Sequence, residues 1–411
     1  MLVIPPEVGR IFAALIRACG RIRGPAPPIR VEVKEGNLHL IWSSPEVTLV
    51  QRSSTDSPDG RAIITSDLLT QGTPIPPQAI EEALPELPER WSSPGSGFLQ
   101  ALHDCARMTA REASRYALTR IQIRGSTGQV IASDGRSALI IAGFRFPFAD
   151  DLLIPALPLF GSPILVKERE IRIARTAKHL VLAVGSWQIL LSIDHEGRYP
   201  DVVRIIPRQA STVAGIAETD AQYLRARIAS LPGVEQEHRP VTVVLDGGVR
   251  IEGHDPTTKQ SESIRLTESP SAGVRARIVL DRRLLLRALN LGCSSLRVAP
   301  EQPLLCEGGP ITFLTLPRDQ EFTTPIAPRH EPILPRRTIV KPEIKDPLPR
   351  DPGEPPDPLG EAEAIRTTLA DLLTRANRLV SQLKSRKKEQ RALTQVWSSL
   401  KALNLGPEGR S

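Results

Sequence analysis

One pattern restricts this chain more than any other: an amphipathic helix followed by a pair of strands around a glycine turn, repeated along the sequence. "EVGRIFAALIRACGRI" leads into "IRVEVKEGNLHLIW", "GFLQALHDCARMT" into "YALTRIQIRGSTGQVIASDGR", and "TDAQYLRARIASL" into "PVTVVLDGGVRIEGHD". Weaker copies interleave: "ALPLFGSP" precedes "REIRIARTAKHLVLAVGSWQILLSI", and "DRRLLLRALNLG" precedes "SSLRVAPEQPLLCEGGPITFLTLP". The apolar spacing changes from helical to alternating within each copy. The hairpin turns carry Gly36-Asn37, Gly125 and Gly247-Gly248, where positive φ is readily adopted. Each helix has an apolar stripe that a sheet must cover. The expected fold class is therefore α+β, with repeated small domains whose helices lie on one face of antiparallel sheets.

The flanks bound this repeat region. Residues 321–358 are proline-dense and polar, and the composition predicts an extended linker. Residues 359–405 read as a helical, coiled-coil-like tail. Ile365, Leu369, Leu372, Ala376, Leu379 and Leu383 keep a 4-3-4-3-4 spacing. The basic run "KSRKKEQR" interrupts that seam before Leu393, Trp397 and Leu400 resume it. Such a tail can self-associate, bind a partner helix or pack back on the body.

The helices carry a second, basic face. In the first, Val8, Ile11, Phe12, Leu15 and Cys19 form the expected buried stripe, with Arg10, Arg17 and Arg21 on another side. In the second, Phe98, Leu102 and Cys105 point inward, while Arg107 and Arg111 continue a polar series from Gln100 and His103. Arg283 and Arg287 occupy a similar face opposite Leu284, Leu285 and Ala288. A solvated face and a phosphate-binding face both fit this pattern.

Composition excludes several classes. The net charge of +7 over 411 residues permits a nucleic-acid partner without requiring one. The four cysteines are scattered, with no CxxC pair, so neither a zinc site nor a disulfide framework is expected. No apolar run approaches membrane-span length, and the N-terminus lacks the basic start of a signal peptide, so a cytoplasmic protein with no membrane partner is expected. No Walker loop, HExxH or strand-linked GxGxxG is present. Ser192, Asp194 and His195 are too close in sequence to form a triad. No enzyme, cofactor or metal is expected.

Three segments together resemble the bacterial DNA sliding clamp, the beta subunit of DNA polymerase III. "HEGRYPDVVRIIP" is similar to that family's connector between its second and third domains. "SRYALTRIQI…GQVIASDGRSALI" resembles its second-domain hairpin, and "ITFLTLPRD" its C-terminal strand. The likeness covers about residues 92–320 well and 1–91 weakly. It implies three clamp domains (1–91, 92–209 and 210–320) in a head-to-tail dimeric ring around duplex DNA, associated with the nucleoid. The arginines named above would face phosphates without reading sequence. The resemblance also implies a pocket for peptides of replication and repair proteins, walled by Leu118, Ser133, Gly135, Pro200, Arg204, Ile205, Leu314, Leu316 and Pro317. Arg136-Ser137-Ala138 stand where the family has His-Arg-Leu, and Arg318 where it has an apolar residue. After "GRAIITSDLLTQ" a second set of strands is missing, so the first domain reads as truncated and ring closure comes into question. The alternative is a clamp-fold interaction module that no longer encircles DNA and oligomerises or binds partners through its C-terminal helices.

Overall fold

Helices begin and end here where capping chemistry changes. In the computed structural model, which describes residues 1–20, 25–79, 88, 90–112, 116–168 and 170–323, five α-helices form. Helix α1 (Pro6–Ala18) has proline and Glu7 in its first turn and Arg17 in its last, matching the helix dipole. Helix α2 (Phe98–Ala106) follows Gly97, whose φ is +77°. Helix α3 (Pro163–Val166) is a single turn, and α4 (Glu218–Arg227) and α5 (Arg282–Asn290) complete the set. Asp281 caps α5 by accepting from the Arg283 backbone N–H.

Strands follow the alternating segments. They are β1 (Ile29–Lys34), β2 (Asn37–Ser43), β3 (Val47–Ser54), β4 (Gly60–Ile64), β5 (Arg120–Arg124), β6 (Gln129–Ser133), β7 (Ser137–Ile141), β8 (Asp151–Pro155), β9 (Ile171–Arg175), β10 (His179–Val184) and β11 (Trp187–Ser192). Then come β12 (Thr212–Gly215), β13 (Pro240–Leu245), β14 (Gly248–His254), β15 (Ser261–Gly273), β16 (Arg275–Asp281), β17 (Ser295–Val298), β18 (Leu304–Gly308), β19 (Ile311–Thr315) and β20 (Asp319–Thr323). They build two antiparallel sheets. The 7-stranded sheet runs β4-β1-β2-β3-β11-β10-β9, and the 13-stranded sheet runs β20-β16-β13-β14-β15-β12-β17-β18-β19-β7-β6-β5-β8.

Two non-local pairings join distant parts of the chain. Strand β11 pairs with β3, with Trp187 opposite Gln51, and β19 pairs with β7, with Leu314 opposite Ala138. The helices cover one face of these sheets. Phe12 of α1 stacks on Trp187 at 5.9 Å, and Phe98, Leu102 and Cys105 of α2 enter the same core as Ile121, Val130 and Leu139. The opposite face of the larger sheet presents Ile131, Ala138, Ile140, Leu305 and Leu314, and Val202 closes it with Tyr199, Val203 and Ile206. The connector "EGRYPDVVRIIPR" is thus a 3-10 turn, Val202–Ile205, laid on the sheet face away from the helices.

Several expectations need correction. Ile11 is 42% exposed, because the buried stripe of α1 centres on Gly9, Phe12 and Leu15 and leaves Ile11 on its flank. Helix α2 stops at Ala106, so Arg107 is its C-cap and Arg111 lies in the loop beyond. Gly36 and Gly247 adopt positive φ, but in the turn between β5 and β6 Gly128, at +66°, does so and Gly125 does not. Gly125 is required for a different reason: a Cβ there would sit 2.5 Å from the Asp150 carbonyl oxygen.

Beyond β4 the chain makes a 3-10 turn, Ser66–Thr70, and a bridge from Ile75 to Leu2, with no further named strand before α2 among the described residues. The 3-10 turn packs on α1, and the Leu69 carbonyl oxygen would lie 1.7 Å from a Cβ on Gly9. Arg21, the linker after Thr323 and the coiled-coil-like tail lie outside the described residues.

Candidate binding cleft

The end of α2, the β6–β7 turn, the start of α5 and the end of β19 converge on a cleft of about 970 Å³. Each wall is fixed locally. After α2, Thr109 Oγ1 donates to the Ala106 carbonyl oxygen, and the Ala110 N–H donates to that of Leu118. In the β6–β7 turn, Asp134 Oδ1 accepts from the backbone N–H of Arg136 at 2.9 Å and of Ser137 at 2.7 Å. Ser133 Oγ donates to the Ser137 carbonyl oxygen and accepts from Gly135, whose φ is +88°. That turn leaves the Arg136 side chain exposed at the rim. The Leu316 N–H donates to the Arg136 carbonyl oxygen at 3.0 Å, which carries the β19–β7 pairing one step past the strands.

The lining is strongly basic. Arg107, Arg111, Arg136, Arg283, Arg287 and Arg318 face three carboxylates, Glu112, Asp134 and Asp281. Arg283 is held by Asp281, and this pairing raises its pKa. Arg287 Nη1 donates to the Arg107 carbonyl oxygen at 3.1 Å and to Met108 Sδ at 2.7 Å. Burial, and then the neighbouring Arg107 charge, pull the Arg287 guanidinium below the usual arginine range. Arg318 Nη1 donates to the Glu237 carbonyl oxygen at 3.0 Å. The apolar part of the lining is Leu118, Leu284 and Leu316, and Leu316 is 52% exposed.

Two sets of sequence-predicted residues meet in this one cleft. Arg107, Arg111, Arg283 and Arg287 were expected to face phosphates, and Leu118 and Leu316 to wall a peptide pocket; all six line it. Gly135 lies beside Leu118, and a Cβ on it would sit 3.4 Å from Leu118 Cδ1. Ser133 is buried with its hydroxyl engaged in the turn. Leu314 is buried on the opposite sheet face, in the cluster closed by Val202, and Pro317 lines a neighbouring depression with Phe322. Pro200, Arg204 and Ile205 are not among the lining residues. Arg204 is exposed and pairs with Asp201 at 2.9 Å, Ile205 is exposed, and the Pro200 carbonyl oxygen accepts from the Val202 N–H. Arg10 and Arg17 are exposed on α1 and outside the cleft.

The helix-face spacing did not point to His238, which also lines the cleft. His238 and Arg239 both have positive φ, at 63° and 43°. Arg282 pins that loop from within: it is buried and donates to the carbonyl oxygens of Arg239, Leu231, Pro232 and Pro240. Adjacent arginines at a helix start are the only trace of this in the sequence. Asp194, His195 and Ser192 do not address one another. Asp194 accepts from Glu196 and Gly197, His195 Nε2 meets the Ala177 carbonyl oxygen, and Ser192 Oγ donates to that of Pro45. Among the described residues no cluster could hold a metal ion, and no helix is long and apolar enough to cross a membrane.

No protein-family model and no curated protein matches the chain. Solved structures do. The DNA polymerase III subunit beta of Borrelia burgdorferi, in complex with a natural product, superposes with a TM-score of 0.62 at 13% identity, covering 77% of this chain and 97% of that one. The Pseudomonas aeruginosa sliding clamp bound to griselimycin gives 0.61 at 17%, covering 77% and 99%. The Helicobacter pylori beta clamp bound to a DNA ligase peptide gives 0.62 at 15%, covering 77% and 99%.

The fold is that of the bacterial sliding clamps.

At such identities the likeness concerns the fold alone. Within the clamp fold, this chain has a cleft with an arginine rim and an aliphatic part made by Leu118, Leu284 and Leu316. That arrangement suits anionic groups held beside a short aliphatic contact.

Proposed function

We propose that the chain is a non-enzymatic scaffold of the sliding-clamp type that associates with duplex DNA through phosphate contacts and docks replication or repair proteins. The clamp fold combined with the arginine-lined cleft carries this reading. Arg10 and Arg17, exposed on α1, have no ion pair among the described residues and remain available to phosphates. The reading divides the chain into clamp domains at 1–91, 92–209 and 210–320, followed by a linker to 358 and a helical tail over 359–405. A dimer acting in the cytoplasm, on the nucleoid, follows from the same reading. Retention on nicked circular DNA tests it. Encirclement predicts that the protein stays on the circle and falls off once the circle is cut; equal retention on both forms rejects a ring.

A second reading has its own observation. Before α2 the described chain forms one helix and four strands, whereas residues 212–315 contain α4, α5 and strands β12–β19. A first domain this short offers less material for closing a ring. On that reading the chain is a clamp-fold interaction module that assembles through 359–405. Deleting that tail would then lower the sedimentation mass, and an unchanged mass would count against it.

A further inference from the structure

We propose that two copies of this chain pair through the free edge of β15, residues 261–266 lying antiparallel to the same segment of the second copy about a two-fold axis at Ser263. This goes beyond both readings above and needs neither DNA nor residues 359–405.

The sheets leave this edge unfilled. The third strand after each α-helix is β3, β7, β11, β15 or β19. Four of these form the two non-local junctions, β3 with β11 and β7 with β19. In β15, residues 271–273 pair with β12, but residues 261–266 have β14 on one side and no strand on the other among the described residues. Asp220 fixes the break between the two halves, accepting from the N–H groups of Thr267 and Glu268 and from Ser269 Oγ. Other outer edges are already engaged. The Gln78 N–H donates to the Arg61 carbonyl oxygen of β4, Ser92 bridges Ile173 of β9, and the Asp194 N–H donates to the Leu153 carbonyl oxygen of β8. Strand β20 carries Asp319 and Glu321 on one face, so pairing with its own copy would bring carboxylates together.

The β15 edge complements itself. The Asp255 N–H donates to the Gln260 carbonyl oxygen and closes the β14–β15 hairpin. Antiparallel alternation then turns the N–H and C=O groups of Ser261, Ser263 and Arg265 away from β14. Set antiparallel about Ser263, these residues face Arg265, Ser263 and Ser261 of the second copy, and each gains a partner. No like charges stand directly opposite one another. Helix α4 widens the surface. Thr219 donates to Glu268 at 2.7 Å and Arg227 meets Glu262 at 3.7 Å. Tyr223 lies midway between them on the same helix face, so it runs along this edge, and it is 53% exposed. In this register Glu262 is a diagonal neighbour of its own counterpart, and the two Arg227 guanidiniums balance the two carboxylates. A self-complementary contact of this kind closes as a dimer.

The test uses the full chain carrying Ser263→Cys, oxidised with copper phenanthroline and run on non-reducing gels. Cys105, Cys293 and Cys306 are buried and Cys19 is half-buried, so the wild type under the same oxidant is the baseline. Ser263→Cys should form a covalent dimer, because directly opposed strand residues lie within disulfide reach. Ser261→Cys should not, since its counterpart lies about 13 Å along the strand. In a head-to-tail ring a single cysteine does not meet itself. Sedimentation measures the strength of the contact. Ser263→Pro removes an N–H that β14 does not use and should weaken the dimer by about tenfold or more. Arg227→Glu should also weaken it, and Arg227→Glu with Glu262→Arg should restore it. Circular dichroism should show unchanged folding; if Ser263→Pro disturbs the fold, the charge swap decides. The proposal fails if Ser263→Cys crosslinks no more than the wild type, or if Arg227→Glu leaves the dimer intact. Species heavier than a dimer, without the crosslink, would assign the edge to β20 of the next copy and also overturn it. Retention on nicked circles and deletion of 359–405 are separate measurements, so the earlier readings fail on their own results.

Discussion

Arg287 donates through Nη1 to the carbonyl oxygen of Arg107 at 3.1 Å, joining residues 180 apart in sequence. The bond closes the floor of the cleft by tying α5 to the C-cap of α2. Its guanidinium is half-buried and also meets Met108 Sδ. Arg287→Ala should lower stability by about 1–3 kcal/mol, read as a shift in the urea midpoint, because a carbonyl loses its charged donor. Arg287→Lys keeps the charge but not the planar fork and should recover only part of that loss.

Arg282 makes a stronger prediction. It is 3% exposed and donates to a ring of backbone carbonyl oxygens, including Pro232 at 2.6 Å and Arg239 at 3.0 Å. Burial lowers its pKa. Methionine fills a comparable volume but donates nothing. Arg282→Met should cost about 3 kcal/mol in chemical denaturation, as several carbonyls lose their donor at once. A cost below about 1 kcal/mol would mean that water replaces the guanidinium.

These two arginines mark where sequence reading stops. The strand pairs were legible because alternation and turn glycines are local properties, and the α1 stripe was legible through Phe12 and Leu15. The β3–β11 and β19–β7 pairings were not, because nothing near Val47 or Ile311 names a partner more than 130 residues away. The cleft was half legible. Arg107 and Arg111 were read as one helix face, yet α2 ends at Ala106, and they reach the cleft from a cap and a loop. Arg136 and Arg318 join them because the β19–β7 register brings Leu316 to the Arg136 carbonyl oxygen, which no periodicity encodes.

Gly9 gives a prediction whose sign separates local from tertiary control. In an open helix interior, glycine to alanine stabilises by about 1 kcal/mol. Here a Cβ would lie 1.7 Å from the Leu69 carbonyl oxygen, which belongs to the 3-10 turn covering α1. Gly9→Ala should therefore destabilise, by about 3 kcal/mol, as the turn is pushed off the helix. Thermal melts of the variant should show the drop; a rise would mean the turn moves aside at no cost.

Acidification should weaken the fold before carboxylates titrate. Burial lowers the pKa of His39, helped by the Arg52 charge and opposed by Glu32, and burial with Lys178 lowers that of His179. In the unfolded chain both take up a proton near pH 6.5. Between that pH and their lower native values the unfolded state binds more protons, so stability rises with pH there and falls as pH drops. The melting temperature should therefore decline from pH 7 to about pH 5.5, where ordinary carboxylates remain ionised. Replacing both residues, His39→Gln with His179→Gln, should flatten that decline while leaving the melt at pH 7.5 nearly unchanged. Both side chains are only partly buried, so the change in slope should be modest. A double variant with the full wild-type slope would place the proton uptake on other groups.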